Sequence, residues 1–286
     1  MDWKEIPKID AHVHILPEDK RQGFVKYQGE DSTWAKASVK TYIKEMEQYN
    51  IKKAILVPAN DPYMYYSTRE TNEFTSKLVN DYLGKFIGFA DLNFNGSYIL
   101  DKEVSELEYA IKELELSGLK IHPNNLNMDA DDLRLVPILR KAAELKIPVI
   151  YHSNPCMTGF HDNSAPDKIN RMIKVFPDIN FITAHMGGMK YLDAWSGCTM
   201  VDISFVLTEL VDLYGIEQTN RILRMFGEDR LIFGTDYPER NYEEYIKILN
   251  KMDFTEREIK KIAYENIELL INLNGDKKFE KVPDDV

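Results

Sequence analysis

Residues 9–15 read Ile-Asp-Ala-His-Val-His-Ile. A short apolar run of this kind suits a strand buried on both faces, as in a parallel sheet. On a strand, residues two apart point the same way, so His12 and His14 share one face. Seven further apolar, β-branched runs follow, at 53–57, 86–90, 118–122, 148–152, 180–185, 200–204 and 230–236. Helical periodicity fills many of the gaps. Apolar residues fall at 39, 42, 43 and 46 within 38–49, and at 104, 107, 111 and 114 within 101–116. Segments 131–145, 167–176 and 218–226 follow the same rule, and acidic residues at 129, 131 and 132 mark a helix start. Thr255 with Glu258 three residues on predicts a capping box, opening a last helix that runs through Ile267 and Leu270. Eight strand–helix alternations predict a single (β/α)8 TIM barrel over 1–286, rather than a doubly wound sheet. The barrel itself spans about 6–272, and a charged tail occupies 274–286.

Composition narrows the function classes. Lys and Arg number 36 against 47 Asp and Glu, a formal charge of −11, which disfavours nucleic acid and anionic membranes as partners. No stretch approaches the ~18 apolar residues of a membrane span, and the N-terminus has no apolar leader, so a cytoplasmic location is expected. The two cysteines, Cys156 and Cys198, form no CxxC pattern and read as reduced thiols. A small-molecule substrate is the expected partner, and a homo-oligomer is compatible with the sequence.

The histidines carry the chemical signal. Five of the six fall at or near the C-terminal ends of the runs: His12, His14, His122, His152 and His185. Asp236 ends the eighth run. In a barrel those ends converge on the face that holds the active site. His12 and His14 make half of a first-row metal site, and His152 and Asp236 can complete it across the mouth. Three histidines and one aspartate with open positions fit zinc, or else manganese or iron, in a catalytic centre. Each residue alone has a plainer reading, such as a polar pair at the rim, a hydrogen-bonded histidine or a turn cap. The joint placement favours one divalent metal.

Five segments resemble the amidohydrolase superfamily, specifically its amidohydrolase-related, aminocarboxymuconate semialdehyde decarboxylase-like group. They are Ile-Asp-Ala-His-Val-His-Ile-Leu-Pro-Glu (9–18), Gly-Leu-Lys-Ile-His-Pro (118–123), Pro-Val-Ile-Tyr-His (148–152), Phe-Ile-Thr-Ala-His-Met-Gly-Gly (181–188) and Ile-Phe-Gly-Thr-Asp-Tyr-Pro (232–238). The stretch 261–270 resembles the family's closing helix. The resemblance implies metal ligation by His12, His14, His152 and Asp236. It also implies catalytic roles for His185, as acid/base or carbonyl polariser, and for Asp236, which manages the proton of a bound water. Lys120 lies where two-metal members carry a bridging carboxylated lysine. A two-metal site with Lys120 is therefore a second expectation, and His122, two residues on, faces the same way.

The first functional expectation is a metal-dependent hydrolase, in which metal-activated water attacks a carbonyl C–N or C–O bond. The alternative is non-oxidative decarboxylation of an unsaturated or aromatic acid, and the third is a non-catalytic metal-binding barrel. Loops after the strands set specificity. Candidate pocket residues are Asn60 and Tyr63 in the aromatic loop after the second run, Asn154, Cys156 and Phe160 after His152, Trp195 after His185, and Arg240 after Asp236. Arg240 is placed either to clamp a carboxylate or to form a surface salt bridge. His161 is expected not to bind metal. Asp202 is expected to support a metal ligand or to bond nearby backbone.

Overall fold

The computed structural model describes residues 2–93, 100–154, 162–197 and 199–272. Cys156, Phe160, His161, Cys198 and the 274–286 tail lie outside the described residues. Each of the eight predicted runs overlaps a strand: β1 Lys8–Val13, β2 Ile51–Leu56, β3 Phe86–Ala90, β4 Gly118–Ile121, β5 Val149–Tyr151, β6 Phe181–Thr183, β7 Met200–Asp202 and β8 Leu231–Ile232. They pair in parallel in chain order, β1 through β8. Beyond β8 the chain continues alongside β1 and closes the ring. Ala11 N donates to Phe233 O (3.0 Å), Asp236 N to His12 O (3.0 Å) and His14 N to Tyr237 O (2.8 Å). The TIM barrel expected from the strand–helix alternation is the fold observed.

The barrel interior is packed rather than hollow. Ile9, Ala11, Ile55, Ile87, Phe89, Ile150, Ile182 and Ile232 form one buried cluster, and Ile267, Leu270 and Ile271 of the closing helix Asn266–Asn272 join it. β4 offers Gly118 in place of a branched residue. A Cβ there would lie 2.5 Å from the Phe89 ring, so the glycine makes room for the aromatic. Two larger clusters fill the space between strands and outer helices.

The helices broadly follow the periodicity. Val39–Gln48 is capped by Ser38 and buries Tyr42 and Met46. Thr255 and Glu258 form the predicted capping box at the start of Glu256–Lys260. The helix predicted over 218–226 begins earlier and spans Val206–Phe226, interrupted at Gly215 (φ 75°), which splits its apolar stripe. Helices Glu18–Gln28, Thr68–Asp81 and Tyr242–Leu249 were not evident from apolar spacing. Among the described residues no helix is long and apolar enough to cross a membrane.

Candidate metal centre

β1 departs from simple alternation, and the departure builds the site. Asp10 pairs with Ala54 and Val13 with Leu56, so β1 spends three residues where β2 spends two. This is the signature of a β-bulge, which re-aims the side chains beyond it. Below the bulge Ile9 and Ala11 pack into the barrel. Above it His12 and His14 face the mouth, 1% and 5% exposed. Gly234 gives His12 its space: a Cβ there would lie 3.4 Å from the His12 Cβ.

The hydrogen-bond partners fix which ring nitrogen carries each proton. His12 Nδ1–H donates to the Asp202 carboxylate (3.0 Å). His14 Nδ1–H donates to Val57 O (2.6 Å). His185 Nδ1–H donates to Ser204 O (3.0 Å), which leaves its Nε2 as the acceptor of His152 Nδ1–H (3.0 Å). The Nε2 atoms of His12, His14 and His152 therefore carry lone pairs. Asp236 Oδ1 lies 3.3 Å from His12 Nε2 and 3.0 Å from His14 Nε2. A lone pair facing a carboxylate oxygen at that distance calls for a cation between them, a proton or a metal ion.

Burial, followed by the charge of Lys120, pushes the His12 pKa down to about 3, which favours the neutral imidazole. Burial likewise holds His122 and His152 well below the ordinary histidine range. Burial alone would raise the Asp236 carboxyl, but the imidazoles of His12, His185 and His14 outweigh it and hold the group well below the usual carboxylate range. His12, His14 and Asp236 place their ligand atoms within 4.8 Å of one another, and two imidazoles with a carboxylate form a donor set that fits a divalent first-row ion. His12, His185 and Asp202 cluster as tightly, but protons already bridge those contacts: His185 N and Ser204 Oγ donate to Asp202 Oδ1, and His12 Nδ1 donates to Oδ2. That set orients ligands rather than holding an ion.

The other predicted residues occupy distinct places. His152 stacks on His122 at 3.7 Å between ring centroids and meets His185, outside the tight His12–His14–Asp236 trio. His122 N donates to Asn60 Oδ1 (2.6 Å), and Asn60 Nδ2 donates to Asp91 (2.6 Å), so Asn60 ties the ends of β2, β3 and β4 together. Lys120 is fully buried, with Nζ 2.9 Å from His12 Nε2. Its pKa falls to about 8 through burial, against the pull of Asp236 and Asp202. The aromatic loop divides: Tyr63 is 87% exposed, while Met64 and Tyr65 pack with Leu16 and Ala59. Asn154 lies against Gly188, whose Cβ would fall 2.4 Å from Asn154 Oδ1. Trp195 donates to Met225 O (3.0 Å) on the outer helix layer. Arg240 stacks on Phe205 at 3.5 Å and pairs with Glu209 at 3.2 Å.

Sequence reasoning missed four contributors. Asp10 accepts from His12 N (3.0 Å), Thr235 N (3.1 Å), Thr235 Oγ1 (2.6 Å) and the Tyr242 hydroxyl, clamping the two strands that carry His12 and Asp236. The charge inside an apolar run was the available signal. Ser204 bonds Asp202 and His185. Trp34 stands 5.7 Å from the His14 ring, and Phe205 stands 5.8 Å from the His185 ring. Phe205 has φ 60° and ψ −56°, and Val206 N donates back to Ser204 O (2.6 Å), making a tight three-residue turn. Such a backbone costs about 1–3 kcal/mol and is typical of functional sites.

Comparison with known proteins gives the family. A family model described as "Amidohydrolase" matches residues 9–273, and the chain belongs to that family. The fold is similar to an uncharacterised TIM-barrel protein from Bordetella bronchiseptica (TM-score 0.77, 19% identity, 94% of this chain and 100% of that one). It is also similar to 2,6-dihydroxybenzoate decarboxylase from Rhizobium (TM-score 0.74, 17% identity, 94% and 99%). A dihydroxybenzoic acid decarboxylase from a Polaromonas species, solved with bound manganese and the inhibitor 2-nitroresorcinol, matches at TM-score 0.73 and 19% identity, covering 94% and 98%.

Proposed function

We propose that this amidohydrolase-family member is a divalent-metal-dependent carboxy-lyase acting on an aromatic or unsaturated acid. The observation that carries the reading is the ring-walled mouth. Trp34 stands against His14 and Phe205, backed by Arg240, against His185, which sets aromatic rings beside the candidate metal centre. The likeness of the whole fold to two benzoate decarboxylases supports it. Hydrolysis, the first expectation from the sequence, now stands second.

His12, His14 and Asp236 would hold the metal, and His152, whose Nδ1 is committed to His185, keeps an Nε2 lone pair as a further candidate donor. When bound, the ion orients and polarises the substrate's oxygens. Asp202 fixes the His12 tautomer and, through His185 N, the backbone of His185. The reaction converts R–COO⁻ and one proton into R–H and carbon dioxide. The electron pair of the broken C–C bond stays on the ring carbon, which takes the proton. Asp236, and His185 once its Nε2 gives up the contact with His152, are the side chains proposed to carry it. Aromatic rings beside the centre would limit the access of water, which would disfavour hydrolysis and favour protonation by a positioned group. Manganese is the first metal to test and zinc the second.

The test is a substrate panel on manganese- and zinc-loaded protein: hydroxybenzoates and unsaturated acids against esters, lactones and amides. Carbon dioxide release from an acid with the matching decarboxylated product is expected. Hydrolysis of an ester, lactone or amide without carbon dioxide release would replace this reading with the hydrolase.

A further inference from the structure

Lys120 is the feature the reaction above leaves unused. It sits on the inner face of β4, fully buried, with its ammonium donating to His12 Nε2 (2.9 Å). A neutral imidazole has one lone pair, and the His12 Nδ1 proton is committed to Asp202. Lys120 and a metal ion therefore ask for the same electron pair. Both cannot have it.

The surroundings offer Lys120 few alternatives. β4 is held by pairing on both sides, Ala90 with Leu119 and Lys120 with Ile150, so its backbone is fixed and the side chain must do the moving. Asp202 Oδ1 already accepts from His185 N, Ser204 N and Ser204 Oγ, and its Oδ2 accepts from His12. Among the described residues no carboxylate forms an ion pair with Lys120 and no carbonyl accepts from it. A fully buried ammonium displaced from His12 needs an anion.

We propose that metal binding at His12 releases the Lys120 ammonium, which then anchors the carboxylate of the incoming acid, so that metal entry is the condition for anion binding. This rests on the metal assignment above but not on which reaction follows. It makes Lys120 a substrate-binding residue of a one-metal site, not a bridge between two metals. It also explains why a buried cation is tolerated beside a cation site: the substrate's negative charge completes the group.

The experiment measures binding, not turnover. Wild type, Lys120→Met and Lys120→Gln are stripped of metal, checked for folding by circular dichroism, and titrated calorimetrically with manganese chloride. Each is then titrated with 2,6-dihydroxybenzoate, benzoate and bicarbonate, with and without manganese. Both variants should bind one manganese per chain at least as tightly as wild type, because a competing cation is gone. Manganese-loaded wild type should bind a carboxylate probe, and metal-free wild type should bind it at least about tenfold more weakly. The loaded variants should lose about tenfold to a hundredfold of that affinity, the loss expected for a hydrogen bond to a charged group. A fall from two metals to one on mutation would identify Lys120 as a metal bridge and overturn the proposal. Equal probe affinity in loaded variants and wild type would overturn it, as would no probe binding to loaded wild type. Wild type that takes up no divalent metal would bring down the metal assignment itself.

Discussion

The barrel has a fully buried lysine at each end, and the two are solved differently. At the closed end, Lys8 opens β1 and donates to the carbonyls of Trp3 (2.5 Å) and Ile6 (2.6 Å). At the open end, Lys120 donates to the lone pair of an imidazole (2.9 Å). Burial lowers both pKa values, to about 7 for Lys8 and about 8 for Lys120. The partners differ in what they can do next. A backbone carbonyl is a fixed acceptor with no second calling, so Lys8 staples the N-terminal turn beneath the barrel. An imidazole lone pair can be taken by a metal. A buried charge is thus not a marker of chemistry by itself; the replaceability of its acceptor is.

The contrast predicts that open-end changes alter metal binding and closed-end changes alter folding. The largest effect is expected for Asp236→Ala, which removes the carboxylate shared by His12 and His14 and should abolish stoichiometric metal by elemental analysis while leaving the circular dichroism intact. Retention of a full equivalent would dissolve the trio as a metal site. Lys8→Met leaves the Trp3 and Ile6 carbonyls without their donor and should cost about 1–3 kcal/mol in urea unfolding for each unpaired group. Its manganese affinity should match wild type; a changed affinity would mean the two ends are not independent. Asp202→Asn should weaken manganese binding about tenfold to a hundredfold, because it loosens the tautomer of His12 without touching the ion. Calorimetry decides this, and an unchanged affinity would show that the Asp202 contact is only structural.

The smallest effect concerns Asp91, a buried acid at the open end that no metal uses. Burial raises its pKa from 3.8 to about 7, against the hydrogen bond from Asn60. The folded state therefore favours the protonated form. Stability from this group is full below about pH 4 and is lost as pH rises through 7. Asp91→Asn carries no such proton, so relative to wild type it should gain stability in urea unfolding as pH rises from 4 to 7.5. Parallel stability–pH curves for the two proteins would show that Asp91 is ionised in the folded state.

The strands were legible because a strand buried on both faces must be apolar throughout, and eight such runs leave few alternatives. Helix Thr68–Asp81 was not, because Thr68, Thr71, Asn72, Thr75 and Ser76 make up most of its buried face and Leu78 is its one fully buried apolar residue. Its Ser67–Glu70 capping box was the readable sign. In the site, His12, His14 and Asp236 were visible as residues at strand ends. The Lys120–His12 contact was not, since it spans 108 positions and depends on the barrel's diameter rather than on any local pattern. Phe205 was hidden for another reason: its placement comes from a backbone conformation that phenylalanine rarely adopts, which no propensity foretells.

The extra residue in β1 has a consequence for how such a chain tolerates change. It joins two reading frames of the same strand, one serving the packed interior and the other the chemistry above it. A β1 that kept every residue but alternated strictly, with Ile9 and Ala11 inside, would turn both imidazoles to the outer layer. The irregularity is what lets a single ribbon be wall at one end and instrument at the other.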